Sequence, residues 1–350
     1  MKRREDTMKK KNLSFVFATL FTVGVVITSF PLLLCAAPAP AQTPAPKTLV
    51  IGTMKPGTTF HTIALGVLQL VEGHTNMKVS IISTPGEVGA LELLKAGDAQ
   101  LAVCNLASVG RAFQGLFPFK QKYQIHSLVL VAGYIEQIFI TGEDTNILTR
   151  QDLKGKKVSA GYTGNPGMQL CLKAQLANAG LTLDDIRPVA IAGYVEGVRA
   201  VTNGIADACI STIAPITVVR ELEARRGIRP LPLVDSAEAI KRMQEVYPGM
   251  IARYTSRDDP IYSWIKDRLA EKTPQMAYEI ALLASSQLSD DVVYQVTKAV
   301  WENVEETHSM LPQFKRDWRV ENMCTDTRVL PYHPGAAKWY KEKGVLHSRP

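Results

Sequence analysis

The stretch EVGALELLKAGDAQLAVCN at residues 87–105 decides the fold. Its apolar residues recur at helical spacing up to Gly97, which predicts an amphipathic helix closed by a glycine. A short turn leads into the apolar run at 101–104, a predicted strand, and the polar Asn105 stands where that strand ends. The stretch VEGVRAVTNGIADACIST at residues 195–212 follows the same plan. Together the two stretches predict two lobes that are built alike.

Short apolar runs alternate with helical patterns along the rest of the chain. Predicted strands include KTLVIGT at 47–53 and MKVSIIST at 77–84, with the helical pattern TIALGVLQLVEGH at 62–74 between them. Residues 126–142, HSLVLVAGYIEQIFITG, contain two β-rich runs, and the strand–helix order resumes after residue 152. This alternation is typical of an α/β fold with largely parallel strands.

The N-terminus has the pattern of an export signal. Residues 1–12 are basic, residues 13–34 are uncharged and apolar, and a Pro/Ala-rich run follows. Ala39 and Ala41 form an Ala-x-Ala site that favours cleavage before Gln42, although the apolar segment is also long enough for a retained membrane anchor. A lipoprotein signal at Cys35 is the weakest alternative, since the bulky Leu34 precedes it. We therefore expect residues 1–41 to be a signal peptide or anchor, and the protein to be periplasmic or otherwise extracytoplasmic.

The charge and the scattered cysteines exclude several classes of protein. The chain has a formal charge of +7, but residues 1–12 hold six Lys/Arg and two acidic residues, so the remainder is only mildly basic. No basic stripe is interleaved with aromatic residues, and we expect no nucleic-acid partner. The six His include no pair at i, i+4, and we expect neither a metal nor a cofactor. The cysteines beyond the signal have wide spacing and apolar neighbours, which favours buried free thiols over a disulfide: Cys104, Cys171, Cys209 and Cys324.

Candidate ligand-binding residues lie where predicted strands end. In open parallel sheets, ligands bind outside the carboxyl ends of the strands, where helix N-termini favour negative charge. The loop in LVIGTMKPGTTFHTIALG (49–66) provides small residues, hydroxyl groups, an aromatic ring and an imidazole. The full set of candidates is Thr53, Lys55, Thr58, Thr59, Phe60, His61, Glu87, Asn105, Thr163, Asn165, Gly167, Met168 and Thr212.

Each candidate also has a purely structural interpretation. Thr58 or Thr59 would serve as a helix N-cap, and Asn105 would cap the next helix. Phe60 would belong to the core, and Gly167 would only supply turn geometry. The functional interpretation rests on several such loops occurring together.

The chain resembles the TAXI-type solute-binding proteins, the extracytoplasmic receptors of one branch of the TRAP secondary transporters. The resemblance extends over residues 47–346. It is carried by LVIGT and GTTF (49–60), STPGEVGALELLKAGDAQLAV (83–103), DLKGKKVSAGYTGNPG (152–167), LANAGL (176–181), GYVEGVRAVTNGIADACIST (193–212), VVYQVTKAVWENVEET (292–307) and VLPYHPGAAKWYKEKGVL (329–346).

The resemblance implies a two-lobed periplasmic-binding-protein fold of type II-like topology. Crossing hinge strands are expected near 133–140 and 251–254, with residues 42–138 and 252–350 in lobe 1 and residues 139–251 in lobe 2. Such a receptor catalyses no reaction. It closes on a small anionic solute, usually a carboxylate, and delivers it to a TRAP membrane permease.

The pocket departs from the family pattern. Met54, Lys55 and Pro56 stand where the family has small residues, and Phe60 and His61 replace two tyrosines. Further along, Met168 replaces a small hydroxyl residue and Asn105 replaces a glutamine. Lys55 and His61 could supply charge-assisted hydrogen bonds to a carboxylate. The identity of the solute therefore does not carry over from the family.

Two other functions remain open on the same scaffold, because a fold does not determine a function. One is a membrane-anchored ligand sensor. The other is an enzyme, for which the loops offer only Glu87, Glu196 and His61 as acid or base groups, in no recognised catalytic spacing.

Overall fold

A computed structural model describes residues 48–124, 126–327 and 329–346, without the side chain of His126. The predicted signal or anchor at 1–41, with Cys35 and its alternative processing sites, lies outside the described residues. Within the part that is described, no helix has the length and apolar character needed to span a bilayer.

Ten strands form one mixed sheet in the order β2-β1-β3-β10-β4-β7-β5-β6, with β8 beside β4 and β9 beside β10. The strands are β1 Thr48–Met54, β2 Lys78–Thr84, β3 Leu101–Asn105, β4 His126–Thr141, β5 Lys157–Ala160, β6 Arg187–Ala190, β7 Ala208–Ser211, β8 Arg229–Leu231, β9 Ile251–Ser256 and β10 Lys272–Ser285.

Eleven α-helices in the described residues cover and connect these strands. They are α1 Thr59–His74, α2 Glu87–Ala96, α3 Leu106–Gln114, α4 Pro166–Asn178, α5 Tyr194–Thr202, α6 Thr217–Arg226, α7 Ala237–Val246, α8 Asp290–Asn303, α9 Phe314–Asp317, α10 Val320–Met323 and α11 Pro334–Glu342. The predicted alternation of strands and helices is confirmed. Gly97 is the C-cap of α2, as predicted, and its backbone adopts the left-handed conformation with φ 84°.

The sheet has two halves that share strand β4. In the first half, β1 pairs in parallel with β2 and β3, and β10 runs antiparallel to β3, β4 and β9. In the second half, β5 pairs in parallel with β6 and β7, while β7 and β8 pair with the end of β4. The two β-rich runs predicted at 126–142 are one continuous strand of 16 residues. This long strand connects the halves.

The second crossing expected from the resemblance involves β9 and β10 together. Residues 251–254 belong to β9, which pairs with the first residues of β10. Strand β10 then continues along β3 and β4. The chain therefore returns to the first half of the sheet through β10.

The buried side chain of Arg150 connects several segments in the second half of the sheet. Its side chain is 1% exposed. The Nε group donates to the carbonyl oxygens of Leu231 and Pro232 at 2.9 and 2.8 Å, and the Nη groups donate to the backbone and side-chain oxygens of Gln175. The guanidinium also lies 5.2 Å from the ring centre of Phe139. One buried cation thus connects β4, α4 and the chain after β8.

We expect Arg150→Met to lower the free energy of unfolding by about 3 kcal/mol or more, because three buried carbonyl oxygens lose their donor. Urea unfolding followed by tryptophan fluorescence measures the loss. Arg187→Met is the matched control, since Arg187 is exposed, and it should change the stability by less than about 0.5 kcal/mol. Equal unfolding midpoints for both variants would show that the Arg150 hydrogen bonds contribute nothing net.

Candidate functional site

A cavity of about 940 Å³, counting its open mouth, lies between the two halves of the sheet. The loop after β1, the starts of α2 and α3, and strands β4 and β10 contribute residues from one side, while the start of α4 and the loop after β7 contribute from the other. Nine predicted residues line it: Thr58, Thr59, Phe60, Glu87, Asn105, Asn165, Gly167, Met168 and Thr212. A concave site lined by several separate elements is typical of small-molecule binding.

Four predicted residues lie elsewhere. Thr53 is fully buried, and Lys55 and Thr163 are exposed on the surface. His61 is half-buried and places its Nδ1 atom 3.3 Å from the hydroxyl of Ser83. None of these four residues is part of the cavity wall. The structure therefore gives no support to charge-assisted hydrogen bonds from Lys55 or His61 to a solute, because neither side chain lines the cavity.

Helix caps determine how the polar groups of the wall are oriented. Asn105 Oδ1 accepts from the N–H of Ala107 at 2.9 Å, and Asn165 Oδ1 accepts from the N–H of Met168 at 3.3 Å. The structural interpretation of Asn105 as a cap is therefore correct. Each amide oxygen is thus committed to a helix, and neither Nδ2 group donates a hydrogen bond to another described residue. The wall thus offers two neutral hydrogen-bond donors.

Thr58 lines the cavity and is also the N-cap of a helix. Its hydroxyl oxygen caps α1 by accepting from the N–H of His61 at 3.2 Å, and the same hydroxyl donates to the carbonyl of Lys55 at 2.8 Å. Both hydrogen-bonding roles of Thr58 are occupied. Thr59 has a free hydroxyl apart from a long 3.5 Å contact with Gln313. Thr59 is therefore the more available of the two hydroxyl groups.

Glu87 is the first residue of α2 and is only 5% exposed. Its Oε1 atom accepts from the hydroxyl of Ser108 at 2.9 Å, and this hydroxyl lies 2.6 Å from the phenol oxygen of Tyr247. Burial raises the pKa of the Glu87 carboxyl, while its own backbone N–H and Ser108 act in the opposite direction. No cation in the described residues forms a salt bridge with this carboxyl.

The carboxyl of Glu87 also touches the opposite side of the cavity. A methyl group added at Gly167 would collide with Glu87 Oε1, and one added at Gly86 would lie 3.2 Å from Asn165 Cγ. Gly167 is in the first turn of α4, so the N-termini of α2 and α4 approach the same carboxyl. Helix N-termini stabilise negative charge. A side chain at position 167 would therefore require the Glu87 carboxyl to move from its present place.

A cluster of ion pairs forms another part of the wall. Arg316 donates to Glu136, Asp259 and Asp317 at 3.0, 3.0 and 2.6 Å. Arg253 lies 3.5 Å from both Glu136 and Asp317. Among the described lining residues, Arg316 is the permanent cation, and three carboxylates already surround it. These carboxylates largely neutralise the arginine, which therefore attracts an anionic solute only weakly.

Much of the remaining wall is aromatic or aliphatic. The sequence analysis missed these residues, which come from β4, β10, the starts of α5 and α6, the turn at 260–262 and helix α9 with the residue before it. The sequence could have indicated Glu136, because it is a charged residue inside the apolar run at 126–142. The lining residues that were missed include Tyr134, Ile135, Glu136, Gln137, Tyr194, Ile216, Ile261, Tyr262, Tyr278, Gln313 and Arg316.

The described cysteines carry no disulfide. Three of them are buried, and Cys324 is partly exposed. The prediction of free thiols is confirmed for these four residues, with Cys324 less buried than expected. No group of three or more His, Cys, Asp or Glu within the described ranges could hold a metal ion.

The raised pKa of Glu87 predicts how the stability depends on pH. Its folded-state pKa lies above the unfolded value near 4.5, so the stability it contributes is present below pH 4.5 and is lost as the pH rises through the raised pKa. We expect Glu87→Gln to be more stable than wild type at pH 8, with the difference shrinking towards pH 5. Chemical unfolding between pH 5 and 8 measures this difference.

Glu196→Gln is the control for that experiment. Glu196 also lies in the first turn of a helix, α5, but is exposed and outside the cavity. Its substitution should leave the pH profile of wild type unchanged. A Glu87→Gln profile parallel to that of wild type would mean that Glu87 titrates alike in the folded and unfolded chains.

Three solved structures align with most of this chain at low sequence identity. One described as a periplasmic transporter is 16% identical, covers 85% of this chain and 92% of its own, and gives a TM-score of 0.50. The periplasmic sulfonate-binding protein SsuA of a putative sulfonate ABC transporter from Methylobacillus flagellatus KT is 16% identical, with 85% and 95% covered and a TM-score of 0.49. The periplasmic aliphatic sulphonate binding protein SsuA from Escherichia coli is 18% identical, with 85% and 84% covered and a TM-score of 0.43.

The family comparison covers most of the chain. Residues 51–344 match the model of the NMT1-like family. This range includes both halves of the sheet and every residue that lines the cavity. The expected α/β periplasmic-binding-protein fold is confirmed. The chain thus belongs to the NMT1-like family and has the fold of the periplasmic solute-binding proteins.

Proposed function

We propose that this protein is an extracytoplasmic receptor that captures a small solute between two lobes and delivers it to a membrane permease. The observation that carries the proposal is the cavity between the halves of the sheet, whose wall combines residues from both. A cavity divided in this way opens and closes when the lobes move about their connecting strands. We assign residues 42–138 and 252–350 to lobe 1 and residues 139–251 to lobe 2.

The permease in this proposal is of the TRAP type. The proposal rests on the TAXI-like motifs at 83–103, 152–167 and 292–307. An ABC transporter is the competing partner, because the sulfonate-binding proteins with a similar fold belong to that class. Deletion of a neighbouring permease gene of either type, followed by measurement of solute uptake, separates the two partners.

We further propose that the solute carries a carboxylate held by neutral donors. The Nδ2 groups of Asn105 and Asn165 remain available after both amide oxygens have capped their helices. Arg316 is a poor candidate for this role, since Glu136, Asp259 and Asp317 already bind its guanidinium. Neutral donors at helix N-termini bind anions without an ion pair.

The receptor function predicts that the purified protein retains a small solute and becomes more compact when it binds. Mass spectrometry of the denatured full-length protein identifies the retained solute. Small-angle scattering of stripped and reloaded protein should give a smaller radius of gyration with solute, because lobe closure removes the open cleft. A protein that retains no solute and keeps one radius under both conditions is not such a receptor.

Asn105→Asp tests the carboxylate. An aspartate oxygen still caps α3, so the fold should be preserved. The Nδ2 donor becomes a negatively charged oxygen, which repels a carboxylate and removes one hydrogen bond, so we expect the dissociation constant to rise at least about 10-fold. Titration calorimetry with the retained solute measures this change.

Asn76→Asp is the control, since Asn76 is exposed in the turn after α1. It adds the same charge far from the cavity wall and should leave the affinity unchanged. Equal affinities for Asn105→Asp and Asn76→Asp would exclude Asn105 from carboxylate binding.

A further inference from the structure

Glu87 is a buried acid that faces the cavity and has no cation of its own. It is 5% exposed, and it lines the cavity wall. Ser108 donates to Oε1, and the backbone N–H of Glu87 itself also favours the ionised carboxyl. A buried carboxylate is costly unless a cation or several hydrogen bonds compensate it. The described residues supply this hydroxyl and this N–H but no cation, so the compensation is incomplete.

The groups around Glu87 do not supply the missing charge. The titratable side chains that face it are Cys104 on β3, Cys171 on α4, Tyr247 after α7 and Tyr278 on β10. Burial raises the pKa of both thiols and both phenols, so all four are neutral near pH 7.

The charged side chains nearby are committed to other partners. Arg111 on α3 stacks 5.6 Å from the ring centre of Tyr247, and its Nε donates to the carbonyl of Phe117. On the far wall, Arg316 is bound by three carboxylates. Among the described residues, no positive partner is left for an ionised Glu87.

We propose that Glu87 determines specificity by pairing with a positively charged N–H group of the solute, such as an ammonium or amidinium group. This inference rests on the proposed receptor function and adds a second recognised group to it. The solute then offers a donor to Glu87 and an acceptor to the amides of Asn105 and Asn165. Solutes with two negative groups and no donor bind less tightly, because nothing in them pairs with the carboxylate of Glu87 and like charges repel.

The direction of the pH dependence separates this proposal from its main competitor. An ammonium group favours the ionised carboxylate, so the affinity for it rises with pH through the pKa of Glu87 in the free protein. In the competing arrangement, a protonated Glu87 donates its hydrogen to a solute carboxylate. The affinity for such a solute falls as the pH rises. The two arrangements thus give slopes of opposite sign.

Three four-carbon probes test the charge of the solute with little change in length: 4-aminobutanoate, succinate and 1,4-diaminobutane. Titration calorimetry uses the full-length chain, stripped of retained solute, between pH 6 and 8. We expect the two aminated probes to bind wild type more tightly than succinate, with an affinity that rises with pH. Glu87→Gln should weaken the binding of 4-aminobutanoate about 10- to 100-fold and strengthen the binding of succinate.

Glu196→Gln should bind all three probes as wild type does, because that glutamate lies outside the cavity. The proposal is overturned if wild type prefers succinate, if the affinity for the aminated probes falls as the pH rises, or if Glu87→Gln keeps the wild-type preference. It is also overturned if the retained solute has no cationic nitrogen, a result that leaves the receptor function intact. If no solute is retained and no probe binds, the receptor function and this proposal both fail.

Discussion

The contact between Glu87 and Gly167 is the constraint on which the arrangement of the cavity depends. It brings the first turn of α2 against the first turn of α4, one from each half of the sheet. A side chain at position 167 would displace the Glu87 carboxyl. The hydrogen-bonded series Glu87, Ser108 and Tyr247 extends the same contact inward. The two helix starts thus meet at one buried acid.

The arginines at the cavity wall are already paired with carboxylates. Arg316 and Arg253 lie among Glu136, Asp259 and Asp317, and the cluster carries more acids than bases. Such a cluster orders β4, β9 and α9 relative to one another, but it gives little attraction for an anion. In the proposed receptor, recognition depends on neutral amides and on Glu87. The uncharged aromatic wall lowers the local dielectric constant and strengthens each of these polar contacts.

Local patterns were sufficient to predict the α/β fold and a large part of the candidate site. The run 87–105 specifies its own helix, its glycine stop and its strand through residues that are neighbours in the chain. Because ligands bind at the carboxyl ends of parallel strands, the loops at those ends could be named before the sheet order was known. The same rule could not tell which side of a loop faces the cavity. Lys55 and His61 therefore appeared equivalent to Thr58 and Phe60.

The sequence by itself determined the alternation of strands and helices, the helix caps at Thr58 and Asn105, and the residues at the strand ends, because these depend on local spacing and on backbone hydrogen bonds. Only the tertiary structure decided that Glu136, on β4, meets Arg316 from a helix 180 residues later. It also decided that Glu87 is buried against Gly167 without a cation. Such contacts join segments that are far apart in the chain and close together in the sheet. Local sequence patterns do not predict which distant segments become neighbours.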